Sequence, residues 1–327
     1  MTHFAWTPAP AHLSRPVAVL LLLLAVALGG CAQRATHATQ DADATRDELN
    51  KAAELQAQGD PQASLAIYGR ILQQGEEPLA RLGTGRALLA LGRTSQALEE
   101  FNRATQLMPS LPQAHVGRGE ALYQLGKLDQ AEDAFSKALN YAPEDAQALN
   151  GLALVALAHD ESEQALALLS TARNAAPDVP MLRYNRGLAF FRLGLYADAV
   201  TELDTFLAEN PDDAAGRNAR AAAHMLTGNA RAALADADRA LALAPEEADF
   251  YYNRGLAHQG LLDHQAAVTD FTRAMARRSG VPHYYLNRGE SRILLGQTGE
   301  GCADFRRACD LGQCARLEKL QQAKICP

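Results

Sequence analysis

The chain has 327 residues, of which 48% are hydrophobic and 21% charged, a composition that can fold around a packed core. The formal net charge is −7 at pH 7, and arginine pairs such as Arg277-Arg278 and Arg306-Arg307 are isolated from one another. Because nucleic-acid-binding domains concentrate positive charge on one face, the sequence argues against a nucleic-acid partner.

An apolar leader opens the chain. Arg15 precedes Val17–Leu28, twelve consecutive apolar residues. This length is typical of the core of a secretory signal peptide and is too short to span a bilayer. We therefore expect residues 1–30 to be removed as a signal peptide.

The end of the leader, Leu28-Gly29-Gly30-Cys31, resembles the lipobox of bacterial lipoproteins. In that family a diacylglycerol is attached to the cysteine, and the leader is cut just before it. The resemblance implies lipidation of Cys31 and, because Ala32 rather than aspartate follows, delivery to the outer membrane on its periplasmic side. The alternative is an ordinary secretory leader in which the cysteine occurs by chance.

Residues 31–43 are polar and non-periodic, and they are predicted to form a lipidated tether.

The rest of the chain repeats itself every 34 residues. Pro112–Asp145 is the clearest copy, with one apolar-periodic stretch that stops at Gly126 and a second that opens at Asp129. Glu132, three residues after Asp129, predicts a capping box at the start of the second helix. A small residue marks the second helix of each copy, at Ala63, Ala97, Ala131, Ala165, Ala199, Ala233, Ala267 and Gly301. Prolines close successive copies at Pro109, Pro143, Pro177, Pro211 and Pro245.

The repeat resembles the tetratricopeptide repeat (TPR), a helix–turn–helix unit of 34 residues. The small residue of the first helix in that family is matched by Gly85, Gly119, Ala153, Gly187, Ala221, Gly255 and Gly289. The resemblance implies an all-α fold, a right-handed α-α superhelical solenoid with a C-terminal capping helix. Eight repeats are predicted at 44–77, 78–111, 112–145, 146–179, 180–213, 214–247, 248–281 and 282–315, followed by a capping helix and cysteine tail at 316–327. A single hairpin cannot bury its apolar face, so such repeats must stack.

The resemblance also implies where a partner binds. In this family the first helices line the concave face of the superhelix, and extended peptides bind there. By register, the inward-pointing residues are Arg86, Glu120, Tyr123, Asn150, Tyr184, Asn185, Phe191, Arg192, Asn218, Tyr252, Asn253, Asn287 and Glu290.

One triplet recurs on the first helices, as Asn185-Arg186-Gly187, Asn253-Arg254-Gly255 and Asn287-Arg288-Gly289. Since a side-chain amide can donate to and accept from peptide backbone, a row of asparagines suits sequence-tolerant peptide binding. The alternative is that these residues belong to the repeat consensus and serve solubility and local hydrogen bonding.

Four cysteines remain near the C-terminus: Cys302, Cys309, Cys314 and Cys326. An even number in an oxidising compartment predicts disulfides. The tail from Gln313 to Ile325 reads as a helix. If it folds back, Cys309 meets Cys314 and Cys302 meets Cys326, with crossed pairing as the alternative. A metal site is disfavoured because the spacings lack a CxxC pair.

No catalytic motif stands out, since the nine histidines are scattered and no HExxH, GxSxG or phosphate-loop pattern occurs. We therefore expect no enzyme activity, cofactor or metal. The predicted partners are an envelope protein, or an extended segment of one, and the membrane through the lipid. In layout the chain is similar to TPR lipoproteins of pilus assembly and to adaptors of peptidoglycan hydrolases. A peptidoglycan-associated enzyme subunit is the alternative of another class.

Overall fold

The computed structural model describes residues 43–327, which form seventeen α-helices joined by short turns. The predicted signal peptide, Cys31 and the tether up to residue 42 lie outside the described residues. Among residues 43–327 no helix combines the length and hydropathy that a membrane span requires. The predicted all-α fold is confirmed for this part of the chain.

The helices form consecutive hairpins. The first helices of the hairpins are α1 (residues 43–57), α3 (Pro78–Ala90), α5 (Pro112–Gln124), α7 (Ala146–Ala158), α9 (Pro180–Arg192), α11 (Ala214–Leu226), α13 (Ala248–Gly260) and α15 (Pro282–Leu294). The second helices are α2 (Pro61–Gln74), α4 (Thr94–Leu107), α6 (Leu128–Tyr141), α8 (Ser162–Ala175), α10 (Tyr196–Glu209), α12 (Ala230–Leu243), α14 (His264–Arg277) and α16 (Thr298–Asp310). A last helix, α17 (Ala315–Gln322), follows them. From α3 to α15, each first helix begins at the first residue of a predicted repeat.

Helix starts follow two local rules. Pro78, Pro180 and Pro282 occupy the first position of their helices, where the missing N–H of proline has no helical partner to lose. Asp60 caps α2, because its carboxylate accepts a hydrogen bond from the backbone N–H of Ala63 at 2.9 Å. Helix α2 therefore begins at Pro61, directly after this cap.

The capping box predicted at Asp129 and Glu132 is wrong. Helix α6 begins one residue earlier, at Leu128, and Lys127 precedes it without any side-chain capping bond. Asp129 consequently lies within the first turn, where its negative charge favours the positive end of the helix dipole without capping an N–H group.

The turns between the two helices of a repeat use a left-handed residue. Glycine supplies it in most repeats, as at Gly126 with φ 71°. Asp160 and Leu262 take the same conformation at φ 61° and 64°. Leu262 was not anticipated from the sequence, and a leucine in this conformation costs roughly 1–2 kcal/mol relative to glycine.

Residues 43–327 divide into two compact bodies, 43–117 and Arg118–Pro327, with the division inside α5. In the first body the buried ring of Phe101 lies between Gly85 and Gly117. A Cβ atom at either glycine would come within 2.6 Å of the ring, so only glycine fits.

The second body repeats this arrangement with Phe135 between Gly119 and Gly151, where an added Cβ would lie 2.6 Å and 2.3 Å from the ring. Gly119 belongs to the same repeat as Phe135, and Gly151 to the next. The bulky residue of a second helix therefore fills the gap toward the following repeat.

The C-terminal tail is shorter than predicted. Helix α17 ends at Gln322 rather than near Ile325, because Lys324 adopts a left-handed conformation at φ 56° that breaks the helix. Leu317 and Leu320 are buried against Phe305, so α17 covers the end of the last repeat.

Two disulfides hold the tail. Cys302 is joined to Cys326 and Cys309 to Cys314, with Cα–Cα distances of 5.5 and 4.0 Å. This is the nested arrangement. Cys302 and Cys326 are buried in the same small core as Leu317, whereas the other two cysteines are half-buried.

Candidate protein-binding face

Consecutive first helices touch one another directly within the second body. Contacts join α7 to α9, α9 to α11, α11 to α13 and α13 to α15. Among the described helices of this body, consecutive second helices show no comparable contact. The first-helix side is therefore the inner side of the stack. The first-helix face, as we use the term, consists of the predicted inward-pointing residues on α7, α9, α11, α13 and α15 together with three apolar neighbours on the same helices: Asn150, Tyr184, Asn185, Phe191, Arg192, Asn218, Tyr252, Asn253, Asn287 and Glu290, with Met181, Leu226 and Leu294.

The predicted groove residues differ in exposure. Exposed residues are Arg86, Glu120 and Arg192. Half-buried residues are Tyr123, Asn150, Tyr184, Phe191, Asn218, Tyr252, Asn253, Asn287 and Glu290. Asn185 is buried, with 4% of its surface exposed. Arg86 lies on α3 of the first body, whereas the first-helix face is defined within the second body.

The asparagines hydrogen-bond to the neighbouring repeat. Asn185 donates from Nδ2 to Oδ1 of Asn150 at 2.7 Å, and Asn253 donates to Asn218 at 2.8 Å. These bonds connect first helices of adjacent repeats. Asn185 is thus a structural residue, whereas the half-buried Asn150 and Asn218 still carry Nδ2 groups that could donate to a bound chain.

The third asparagine, Asn287, donates to the hydroxyl oxygen of Tyr252 at 3.0 Å. The Tyr252 ring packs at 5.7 Å from Phe271 and 4.7 Å from His283, centroid to centroid. Burial raises the pKa of Tyr252, as it raises that of Tyr184, so both phenols stay neutral and can donate hydrogen bonds.

The charged residues of this face are paired within the protein. Arg192 donates to Asp160 at 2.8 Å, and Glu290 pairs with Arg316 of α17 at 3.0 Å. The pair with Arg316 links the capping helix to the first-helix face.

The arginines of the recurring triplets do not lie on this face. Arg254 donates through Nε and Nη2 to Asp270, on the second helix of its own repeat. Arg288 binds Asp304 in the same way. These two arginines therefore hold helices together, in agreement with the alternative that residues of the triplet serve local hydrogen bonding.

Apolar side chains that sequence reasoning missed share the first-helix face. Met181 is 48% exposed, Leu226 53% and Leu294 65%. They lie near the ends of α9, α11 and α15. The sequence could have indicated Met181, because it lies three residues before Tyr184 and so falls on the same side of its helix.

His115, one of the nine histidines, is not exposed to solvent. It is buried in the first body, where Nε2 lies 2.8 Å from the carbonyl oxygen of Pro109. Among residues 43–327, no cluster of three or more histidine, cysteine or acidic side chains could hold a metal ion.

Sequence comparison identifies the repeats. Residues 85–126 match the model of the TPR repeat, and residues 116–180, 151–214 and 184–248 match a tetratricopeptide repeat model. The chain therefore belongs to the tetratricopeptide repeat family. A search of curated proteins found no significant match.

Solved structures share the fold. A chain of the APC/C hetero-tetramer Cut9–Hcn1 aligns at TM-score 0.69 and 18% identity over 84% of this chain, which spans only 55% of that one. PilF of Pseudomonas aeruginosa aligns at TM-score 0.57 and 18% identity over 66% of this chain and 97% of its own. A tetratricopeptide repeat protein of Parabacteroides merdae aligns at TM-score 0.55 and 16% identity over 76% and 98%. At these identities the likeness shows the fold alone.

Proposed function

We propose that this protein is a non-enzymatic scaffold, held by a lipid on Cys31 at the outer membrane and facing the periplasm. Its first-helix face recruits an envelope protein by binding an extended segment of it. The observation that carries the binding proposal is the first-helix face itself. It combines exposed apolar side chains with half-buried tyrosines and asparagine amides on one continuous layer of helices.

The chemistry of the face suits such a segment. Leu226 and Leu294 offer apolar area to alternate side chains of an extended chain, and Tyr184 and Tyr252 offer rigid amphipathic contacts. Because the charges of the face are already paired, binding there does not depend on a strongly charged partner.

Among scaffolding roles we favour assembly of a pilus or secretion apparatus. The order of lipobox, tether and TPR array is similar to that of pilus-assembly lipoproteins, and PilF shares the fold. An adaptor for peptidoglycan hydrolases would use the same face, so the identity of the captured partner separates the two roles. An enzyme subunit would instead require catalytic groups clustered on this face.

Membrane anchoring is tested separately from binding. Cys31→Ala should abolish acyl labelling and move the protein from the membrane fraction to the soluble periplasmic fraction. Membrane retention by that variant would contradict the anchor.

Binding is tested by replacing Phe191 and Leu226 with serine, because both contribute to the first-helix face without belonging to the buried core. Partner recovery after crosslinking in cells should fall while the helical circular-dichroism signal is kept. The matched control is Thr201→Ala together with Thr205→Ala on α10, a second helix of the same body. Equal recovery by the Phe191 and Leu226 variant would move the binding site elsewhere.

A further inference from the structure

Leucine side chains are exposed on the turns that join the two helices of repeats 5, 7 and 8, within the second body. Leu195 is 46% exposed, Leu261 36%, Leu262 77% and Leu295 37%. We call these four residues the leucine edge. Repeat 6 adds Leu226 at the end of α11, which also belongs to the first-helix face.

The turns of consecutive repeats lie side by side in this body. Arg192, at the end of α9, donates at 2.8 Å to Asp160 in the turn of the preceding repeat. A Cβ atom at Gly260, at the end of α13, would lie 2.9 Å from Ala230 and 3.0 Å from Met225, which flank the turn of the preceding repeat. The exposed leucines therefore follow one another along one edge of the stack.

The apolar turns are confined to the later repeats of this body. The turn of repeat 3 carries Lys127, and that of repeat 4 is the polar run His159-Asp160-Glu161. Leu125 occupies the position in repeat 3 that Leu261 and Leu295 occupy in repeats 7 and 8, but Lys127 follows it closely. A charged turn is an ordinary solvated one, whereas a succession of exposed leucines indicates a contact surface.

Leu262 is the member of the edge that folding explains least. Its φ of 64° is left-handed, a conformation that costs stability in leucine and that glycine adopts freely. Because most of its side chain is exposed, packing does not offset that cost. Backbone strain that folding does not require is found preferentially at functional sites.

Two occupants from the protein itself fit this edge poorly. Residues 32–43 are polar and contain no bulky apolar side chain, so the predicted tether cannot cover the leucines. A second copy of the chain would need a larger surface. The four leucines expose on the order of 300 Å², whereas a stable dimer buries about 800 Å² on each partner.

We propose that the leucine edge contacts a phospholipid bilayer and inserts its side chains at the boundary between headgroups and acyl chains. Apolar side chains of peripheral proteins enter this boundary by about 5–10 Å, and the binding strength scales with the apolar area that is buried. The proposal rests on the proposed lipid at Cys31 for the presence of a bilayer. An anchored chain meets that bilayer at a high effective concentration, so a small apolar surface is sufficient.

The charges beside the edge do not select a lipid headgroup. Arg192 is paired with Asp160, and Asp263 caps α14 by accepting a hydrogen bond from the N–H of Ala266 at 3.0 Å. Both charges are therefore engaged within the protein. We expect binding to depend on apolar area, to occur on zwitterionic lipid and to change little with salt.

The test measures vesicle binding by the mature chain, residues 31–327, carrying Cys31→Ala so that no acyl chain is attached. The probe is extruded vesicles of palmitoyl-oleoyl-phosphatidylcholine, and binding is measured by flotation. The triple substitution Leu195→Ser/Leu262→Ser/Leu295→Ser should lower the partition coefficient at least about tenfold, because apolar area is lost. Leu125→Ser is the matched control in a charged turn and should leave the coefficient unchanged.

A second measurement does not depend on the folding of the triple variant. Leu262→Cys, labelled with an environment-sensitive fluorophore, should shift its emission to the blue when vesicles are added. Leu125→Cys with the same label should show no shift. The four native cysteines of the mature Cys31→Ala chain are disulfide-bonded, so the label goes to the introduced thiol.

The proposal is overturned if the Cys31→Ala chain does not float with the vesicles, or if the triple variant floats equally well. Binding that requires added phosphatidylglycerol and is lost in salt would also overturn it, since charge would then drive the contact. Self-association that the triple variant loses, seen by sedimentation velocity without vesicle binding, would assign the edge to a second copy instead. Acyl labelling of Cys31 is independent of these results, so failure of the leucine edge leaves the anchor proposal intact.

Discussion

Arg254 binds Asp270 through two parallel hydrogen bonds, from Nε at 2.7 Å and from Nη2 at 2.8 Å. Its third nitrogen, Nη1, donates at 3.0 Å to Asp238 on the second helix of the preceding repeat. Asp270 is only 3% exposed, and its hydrogen bonds raise the pKa of Arg254, so the pair stays charged. One arginine on α13 therefore fastens α12 and α14 together.

Removing this arginine should loosen two repeats. Arg254→Ala leaves the Asp270 carboxylate buried without its main partner. We expect this to lower the free energy of unfolding by about 3 kcal/mol. Amides of α12 and α14 should then exchange with solvent roughly 100-fold faster, measured by hydrogen–deuterium exchange. Arg192→Ala removes only the exposed pair with Asp160 and should cost less than about 1 kcal/mol. Equal effects of the two substitutions would refute the fastening role.

The glycines beside the aromatic rings should tolerate no side chain. Gly151→Ala places a Cβ 2.3 Å from Phe135 and should lower the free energy of unfolding by roughly 1–3 kcal/mol. Gly69→Ala is the matched control on α2, where an added Cβ meets nothing within 4 Å. It should raise stability by about 0.5–1 kcal/mol through helix propensity. Thermal unfolding that ranks the two variants in the opposite order would contradict this packing.

Leu262 should be replaceable by glycine with a gain in stability. Its side chain is 77% exposed, so little packing offsets its left-handed backbone. Leu262→Gly should stabilise the turn by about 0.5–1 kcal/mol in thermal unfolding. Leu261→Gly is the control, since Leu261 has an ordinary φ of −92° and glycine there relieves no strain. A loss of stability on Leu262→Gly would show that this leucine makes a contact that its exposure does not reveal.

The two disulfides should differ in accessibility. The denatured, unreduced mature protein should titrate with no free thiols. Two or more free thiols would show that the two disulfides are not both formed. In the native protein a mild reductant should open the half-buried Cys309–Cys314 bond before the buried Cys302–Cys326 bond, followed by alkylation and mass spectrometry. The double substitution Cys302→Ala/Cys326→Ala removes the longer bridge and should lower the free energy of unfolding by roughly 3 kcal/mol, as the chain-entropy relation gives. Simultaneous reduction of both bonds would contradict the difference in burial.

The repeat architecture could be predicted because its signals are local and periodic. Prolines such as Pro78 and Pro180 begin helices, and glycines such as Gly126 end them, at a fixed spacing. Leu262 could not be predicted from these rules, because leucine rarely adopts a left-handed conformation and the neighbouring repeats impose that turn on it.

The candidate site was predicted less well. The triplet Asn253-Arg254-Gly255 is easily seen, but consecutive helix residues point about 100° apart, so the three cannot share one face. Asn253 reaches the neighbouring first helix and Arg254 the second helices, while Gly255 lies against Phe271. The spacing locates the triplet, and only the packing of adjacent repeats decides what each side chain contacts.

The most direct test of the scaffold proposal is site-specific photocrosslinking in the native cell. A photoreactive residue placed at Phe191, on the first-helix face, is compared with one placed at Thr201, exposed on α10. We predict a discrete crosslinked envelope protein from position 191 and none from position 201. An adduct from position 201 alone, or no adduct from either position, would contradict binding at the first-helix face.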